Sequence, residues 1–261
     1  MTDVSSFVGS YPYRHLPHAT VDWLLGQMDR LGIERAWVGH LPSFLYRDPA
    51  PGNGALERLL EGYQDRLSPL PTVNPEQPRW EDDLNRAIEV GAPAVRLIPQ
   101  FQGIDPIGGE MRVVVAGAAA VKLPVVLTVR LEDLRQRHPL DRAGDLPAAA
   151  VRTLVTSDPE VRILVTHADR SFVEEVHFGL TAEEAARVLW DISWIWGPPE
   201  DHLALLLKTV GPTRFALGTG MPLRIPDAVF AHLDLLDADE GVRQGILGGN
   251  VERWQKGAGG N

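Results

Sequence analysis

The stretch "RILVTHADRSFVEEV", Arg162 to Val176, shows the pattern from which the fold can be predicted. It begins with a short apolar run, places the polar residue His167 at the end of that run, and continues as an amphipathic segment. A short apolar run is typical of a buried strand, and an amphipathic segment is typical of a helix that covers it. We therefore interpret this stretch as one strand, one loop and one helix.

The same unit recurs along the chain. Seven further apolar runs precede longer amphipathic segments: "VSSFVG", "RAWVGH", "LSPLPTV", "AVRLIP", "VVLTV", "VLWDIS" and "RFALGT". Alternating strands and helices imply parallel pairing through right-handed crossovers. Eight such units predict an α/β fold, a single (β/α)8 TIM barrel over residues 1–261 with a frayed tail at about 257–261. A doubly wound open sheet is the alternative.

The composition argues against several kinds of partner. The chain has 25 basic and 35 acidic residues, a formal charge of -10, so its field repels phosphate backbones and anionic lipid. We expect neither nucleic acid nor a membrane as a partner. The absence of cysteine excludes disulfides and thiolate metal sites, and "MTDVSSF" lacks the features of a signal peptide. These observations predict a cytoplasmic protein and leave homo-oligomerisation open.

Barrel enzymes carry their functional residues at the C-terminal ends of the strands and on the loops that follow. In this chain the polar residues at those positions are Tyr11, Arg14, His40, Asn74, Arg96, Gln100, Arg130, Glu132, Asp133, His167, Asp169, Asp191, Ser193 and Thr219. These are the candidates for a site at the mouth of the barrel.

Several stretches resemble the amidohydrolase-related barrel proteins, the amidohydrolase 2 or decarboxylase-like branch of the amidohydrolase superfamily. "RILVTHADRSF" is similar to the family's sixth strand ending in histidine, "RFALGTGMP" to its eighth-strand "GSD-x-P", and "ILGGNVERW" to its closing helix. "AVRLIPQFQG" and "LPVVLTVRLED" resemble the fourth and fifth strands. The resemblance runs through most of the chain, and it implies a hydrolase or lyase that acts on a small molecule.

The resemblance also implies a catalytic metal, zinc by family analogy. The family holds it with an H-x-H pair on strand one, single histidines on strands five and six, and an aspartate on strand eight. In this chain those positions fall on Ser5, Phe7, Thr128, His167 and Gly220. A catalytic zinc generally needs three protein ligands, and only His167 is a ligand by residue type. We therefore expect no bound metal and no other cofactor, with His167 as the one residual candidate ligand.

His167 and Asp191 are the candidate catalytic residues, with roles in proton transfer. A carboxylate within "LWDISWIW" lies among tryptophans and could have a raised pKa that suits acid or base chemistry. Structural roles are the alternatives, a hydrogen-bonded histidine and a salt-bridged aspartate. A triad with Ser193 is a third arrangement, although the chain lacks the G-x-S-x-G nucleophile elbow.

Arg14, Arg96 and Arg130, together with Glu132, are the candidate substrate-binding residues. A guanidinium is a planar fork that suits bidentate binding of a carboxylate or phosphate, so a small anion is the expected ligand. The alternative is that these arginines pair with nearby acidic residues in a structural network.

Two functions remain open at this point. One is an enzyme, a hydrolase or lyase for a small anion, and the other is a non-catalytic barrel that binds a small molecule or partners an active homologue. An enzyme should have His167 and Asp191 facing a common cavity. In a non-catalytic barrel, we expect Phe7, Met221 and tryptophan side chains to fill that cavity.

Overall fold

The structure is a computed structural model that describes residues 1–196 and 201–256. Eight strands occur in these ranges, each within or close to a run that the sequence predicted. They are β1 (Thr2–Val8), β2 (Arg35–His40), β3 (Leu67–Pro69), β4 (Val95–Leu97), β5 (Val125–Thr128), β6 (Ile163–Thr166), β7 (Val188–Asp191) and β8 (Phe215–Ala216). The predicted frayed tail lies outside the described residues.

The strands pair in parallel as two sheets, one of β1 to β3 and one of β4 to β8. Backbone hydrogen bonds connect the two sheets on both sides. The amide of Arg96 donates to the carbonyl of Pro71 over 2.8 Å, and the amide of Val4 donates to the carbonyl of Leu217 over 2.9 Å. The strands thus follow one another in chain order around a (β/α)8 barrel, as predicted.

Helices follow the strands, and local sequence explains where several begin and end. The Thr20 hydroxyl accepts from the Trp23 amide at the start of the first helix, and Gly32 ends it in the left-handed conformation at φ 71°. The helices are α1 (Val21–Leu31), α2 (Ala50–Leu59), α3 (Trp80–Glu89), α4 (Pro99–Gln102), α5 (Gly109–Ala120), α6 (Ala148–Ser157), α7 (Arg170–His177), α8 (Ala182–Ala186), α9 (His202–Thr209), α10 (Pro226–Leu235), α11 (Glu240–Gln244) and α12 (Asn250–Lys256).

Apolar side chains occupy the barrel in two clusters. The basal cluster comprises Val4, Trp37, Leu70, Ala94, Val126, Leu164, Leu189, Ala216, Val251 and Trp254. The mouth cluster comprises Phe7, Tyr11, Leu41, Phe44, Ile98, Leu131 and Leu223. Ala94 and Ile98 belong to different clusters, and Arg96 lies between them with the period of two that keeps strand residues on one face. A polar layer therefore separates the two clusters.

None of the helices in the described ranges combines the length and the apolar character needed to cross a bilayer.

Candidate functional site at the barrel mouth

His167 is the centre of the polar layer. It follows β6, has a left-handed backbone at φ 60°, and has no exposed surface. Its amide donates to Asp191 Oδ1 over 2.9 Å, and its ring Nδ1 lies 2.6 Å from the carbonyl oxygen of Arg130. Non-glycine residues adopt this backbone conformation rarely, and these two contacts hold His167 in it.

The contacts of the ring define its proton arrangement. A carbonyl oxygen only accepts, so Nδ1 carries the proton in the neutral ring and Nε2 is left as an acceptor. Burial lowers the pKa of His167 to about 3, and the nearby charges of Arg224, Arg96 and Arg130 act in the same direction. The imidazole is therefore neutral at physiological pH, and three arginines lie near enough to influence it.

Asp191, the last residue of β7, is also fully buried. Its Oδ1 accepts from the His167 amide, and its Oδ2 accepts from the Ser193 hydroxyl over 2.8 Å. Burial raises the pKa of Asp191 to about 7, and these hydrogen bonds limit the rise. The hydroxyl of Ser193 bonds to the aspartate and not to the histidine, so these residues do not form the nucleophile–base contact of a Ser-His-Asp triad.

Three of the positions that the resemblance assigns to metal ligands, Ser5, Phe7 and Gly220, lie beside His167. The hydroxyl of Ser5 lies 3.2 Å from His167 Nε2, and the Phe7 ring lies edge-on at 5.7 Å between centroids. A Cβ built on Gly220 would lie 3.3 Å from the same Nε2 atom. The residue-by-residue placement of the family's ligand positions stays a prediction. The Thr128 hydroxyl contacts its neighbour Thr166 at 3.0 Å.

The residues at these positions do not fit a divalent metal. They supply one imidazole, two hydroxyls, a phenyl ring and a glycine, and the imidazole Nε2 already contacts the Ser5 hydroxyl. Across residues 1–196 and 201–256 there is no group of three or more histidine, aspartate or glutamate side chains placed to hold a metal ion. The expectation that no metal binds stays a prediction.

Arg96 is buried without a hydrogen-bond partner. None of its three guanidinium nitrogens has a partner among the described residues, and its exposed fraction is 0%. The guanidinium carbon lies 4.6 Å from the Phe7 ring centroid and 5.3 Å from that of Phe44. Gly39 makes room for it, because a Cβ there would overlap Arg96 Nη1. Burial lowers the pKa of Arg96 to about 9, and the charge of Asp191 opposes that shift.

The charges of Arg130 and Arg14, unlike that of Arg96, are neutralised by neighbouring carboxylates. Arg130 Nη1 lies 2.6 Å from Asp169 Oδ2, and its Nε lies 2.9 Å from Asp145 Oδ2. Arg14 Nε lies 3.2 Å from Glu132 Oε1 at the rim. The structural network weighed as an alternative therefore accounts for these two arginines, and Glu132 is the counter-ion of Arg14.

The candidate residues do not line one open cleft. His167, Asp191 and Arg96 are fully buried, while Phe7, Met221 and Trp194 pack around the centre with at most 2% of their surface exposed. Trp194 stacks on the His167 ring at 6.0 Å between centroids. The strand positions of His167, Asp191 and Arg96 suggest a shared cleft, but they do not reveal the volume of the apolar side chains that pack around them.

Arg224 was not among the sequence candidates. It follows β8 in "GTGMPLR" and is half-buried, with its guanidinium carbon 4.5 Å from the Trp194 ring and 4.4 Å from the Trp196 ring. No carboxylate of the described residues forms a salt bridge with it. The signal was available, since loops after strands seven and eight often bind anions in such barrels.

Arg224 borders two cavities. One, of about 210 Å³, is lined by Ser193, Trp196 and His232 together with apolar residues of α10. The other, of about 240 Å³, lies towards His18 and Trp23. Arg224 thus lines both cavities.

Asp3 is a second residue that sequence reasoning missed. It is fully buried near the start of β1, and its two oxygens accept four hydrogen bonds. The donors are the amides of Ser5 and Thr219, both at 3.0 Å, and the hydroxyls of Ser6 at 2.5 Å and Thr219 at 2.6 Å. Because Thr219 follows β8, this carboxylate ties the first strand to the last.

Comparison with solved structures supports the fold. The chain is similar to 2,6-dihydroxybenzoate decarboxylase from Rhizobium, with 14% identity over 98% of each chain and a TM-score of 0.76. A complex of a 2,6-dihydroxybenzoate decarboxylase with 2,6-dihydroxybenzoate gives 15% identity over 98% of this chain and 99% of that chain, with a TM-score of 0.74.

A dihydroxybenzoic acid decarboxylase from a Polaromonas species, with bound manganese and the inhibitor 2-nitroresorcinol, is similar over 98% of this chain and 96% of that chain. Its identity is 13% and its TM-score 0.75. No protein-family model matches the chain. No curated protein matches it either. The resemblance noted in the sequence is thus confirmed at the level of fold: the chain has the (β/α)8 barrel fold of these decarboxylases.

Proposed function

We propose that the protein binds a small planar carboxylate at Arg224, on the mouth of the barrel, without a divalent metal. The proposal rests on the surroundings of the Arg224 guanidinium. Its guanidinium is half-buried against two indole rings, has no salt bridge to a described carboxylate, and borders a cavity of about 210 Å³.

The chemistry of the cavity indicates the class of ligand. The Arg224 guanidinium lies close to two indole rings, and its planar fork of N–H groups can donate two hydrogen bonds to one carboxylate. Apolar residues of α10, with the exposed ring of Trp196, offer a surface for a flat apolar body. The volume lies below the roughly 300–1,000 Å³ of pockets for drug-sized ligands, so a single ring is the appropriate size.

The fold neighbours are consistent with this class of ligand. One is complexed with 2,6-dihydroxybenzoate, and another holds 2-nitroresorcinol together with manganese. In this barrel an aromatic carboxylate would have its negative charge balanced by the guanidinium of Arg224.

Binding without catalysis is the form of this function that the geometry favours. His167 and Asp191, the expected proton-transfer pair, have no exposed surface and bond to backbone groups and hydroxyls of the barrel. Phe7 and Trp194 separate them from solvent. A ligand at Arg224 would contact neither side chain unless the mouth cluster moved.

A metal-independent hydrolase or lyase is the second candidate, and one contact favours it. The Ser5 hydroxyl lies 3.2 Å from an unprotonated His167 Nε2, within reach of a nucleophile–base pair. The Arg130 carbonyl orients the ring from the other side. Such chemistry would require the mouth to open.

Calorimetric titration with benzoate tests the binding proposal. We expect a dissociation constant in the millimolar range or below for the native protein, and at least a tenfold weakening in Arg224→Ala, since a charge-assisted hydrogen bond is worth roughly 1.5–3 kcal/mol. Arg135→Ala is the matched control, because it removes the same charge from an exposed arginine paired with Asp133 at 2.9 Å. Absence of binding, or equal weakening in both variants, would refute the proposal.

Turnover assays distinguish the two forms of the function. Carboxylates that bind are incubated with native protein and with His167→Gln, and carbon dioxide release and product formation are followed. The binding form predicts no turnover by either protein. Turnover that His167→Gln abolishes, with the dissociation constant unchanged, would establish the enzymatic form.

A further inference from the structure

The buried guanidinium of Arg96 lies in a different part of the barrel from the Arg224 cavity. It lies between the basal and mouth clusters, with Phe7 and Phe44 on its faces and Gly39 against one nitrogen. It has no exposed surface. An ionised group in such a place is costly unless an opposite charge or hydrogen bonds compensate it, and the two ring contacts supply only part of that compensation.

The nearest buried carboxylate does not compensate it directly. Asp191 influences Arg96 through its charge, yet no ion pair within 4 Å joins them in the described part of the chain. Both oxygens of Asp191 already accept hydrogen bonds from His167 and Ser193. At neutral pH Arg96 remains protonated, since even its lowered pKa lies near 9. A positive charge is thus left without a bonded counter-charge.

A second donor nearby is also unpartnered. The indole Nε1 of Trp194 is buried and has no hydrogen-bond partner among the described residues. Trp194 stacks on His167, whose own Nε2 contacts the Ser5 hydroxyl. Arg96 and Trp194 therefore contribute unpartnered N–H donors, and the Oε1 of Gln100 in α4, the helix after β4, is an unpartnered acceptor. A set of donors with positive charge suits an anion and is unsuitable for a cation.

We propose that Arg96 holds one small monovalent anion, of the size of chloride or formate, inside the barrel beside His167. The anion accepts from the Arg96 guanidinium and neutralises it. The centre of this barrel would then carry a fixed protein cation with an exchangeable anion, whereas one protein of similar fold holds manganese. This site is independent of the carboxylate proposed at Arg224.

Bromide is the direct probe, because it resembles chloride and scatters anomalously. Crystals of the native protein grown in bromide should give an anomalous peak within hydrogen-bonding distance of the Arg96 guanidinium. No peak there, or density that refines as water bridging Arg96 and Gln100, would overturn the proposal. Peaks confined to the surface would overturn it equally.

A solution measurement provides the second test. The thermal midpoint of the native protein is compared in chloride or formate and in a large organic anion at equal ionic strength, since a ligand of the folded state raises the midpoint. We expect a higher midpoint with the small anions, and loss of that difference in Arg96→Met. If Arg96→Met fails to fold, Arg96→Lys is measured, and its response should be reduced. A response retained in either variant, or none in the native protein, would contradict the proposal.

Discussion

At the scale of single residues, the sequence indicates which side chains reach the centre of the barrel, but it does not indicate how deeply they are buried. His167, Asp191 and Arg96 lie in the polar layer as expected from their strand positions. Their burial could not be predicted, because it depends on how Phe7, Phe44 and Trp194 pack across strands that are distant in the chain. Arg96 differs from Arg130 for the same reason, since only the fold shows which arginine has carboxylates beside it.

Asp191 should make the stability depend on pH with a defined sign. Its pKa is about 7 in the folded chain and about 4 when unfolded, so the folded state binds the proton more tightly. The contribution of Asp191 to the free energy of unfolding is therefore complete below about pH 4 and is lost as pH rises through 7. The free energy of unfolding of the native protein minus that of Asp191→Asn should fall over this window, on the order of 1 kcal/mol per pH unit.

The comparison with Asp191→Asn is needed because the titration of His167 changes the free energy of unfolding in the opposite direction. Its pKa is lowered to about 3, so its contribution is lost as pH falls below its unfolded value. The two slopes overlap in pH, so the native profile alone would not isolate the effect of Asp191. Asp65→Asn, which changes a carboxylate at an exposed position, is the control. A flat or rising difference for Asp191→Asn would contradict the assignment.

At the scale of elements, strands and helices could largely be predicted from period and capping, since the strands lie in or near the short apolar runs and helices such as α1 and α3 are amphipathic. β2 occupies the predicted run "RAWVGH" from end to end. A capping box is present at Thr181, where the Thr181 amide donates to the Glu184 carboxylate over 2.8 Å. Loops were less predictable, because the conformation at Arg224 depends on the tryptophans of another loop.

The cap at Thr181 should contribute measurably, because α8 has only five residues and leads directly into β7. Thr181→Ala removes the acceptor for the Glu184 amide and should lower the free energy of unfolding by about 1 kcal/mol in chemical denaturation. Thr156→Ala serves as the control, since that exposed hydroxyl donates only to a carbonyl of its own helix, α6. Equal effects of the two substitutions would indicate that the cap is not significant.

At the scale of the whole molecule, closure of the barrel depends on a residue that no motif marks. Asp3 joins β1 to the loop after β8, and Asp3→Ala would leave buried amide donors of Ser5 and Thr219 without an acceptor. We expect a loss of at least about 3 kcal/mol in the free energy of unfolding. Asp65→Ala, an exposed control, should change it little. A small effect of Asp3→Ala would show that the strands close without this carboxylate.

We propose that this barrel binds a carboxylate through Arg224 and needs no divalent metal. One calorimetric measurement tests this proposal directly: titration of benzoate into protein dialysed against EDTA, repeated after addition of manganese or zinc. We expect the same dissociation constant for benzoate in both conditions. Binding that occurs only after metal is added would contradict it.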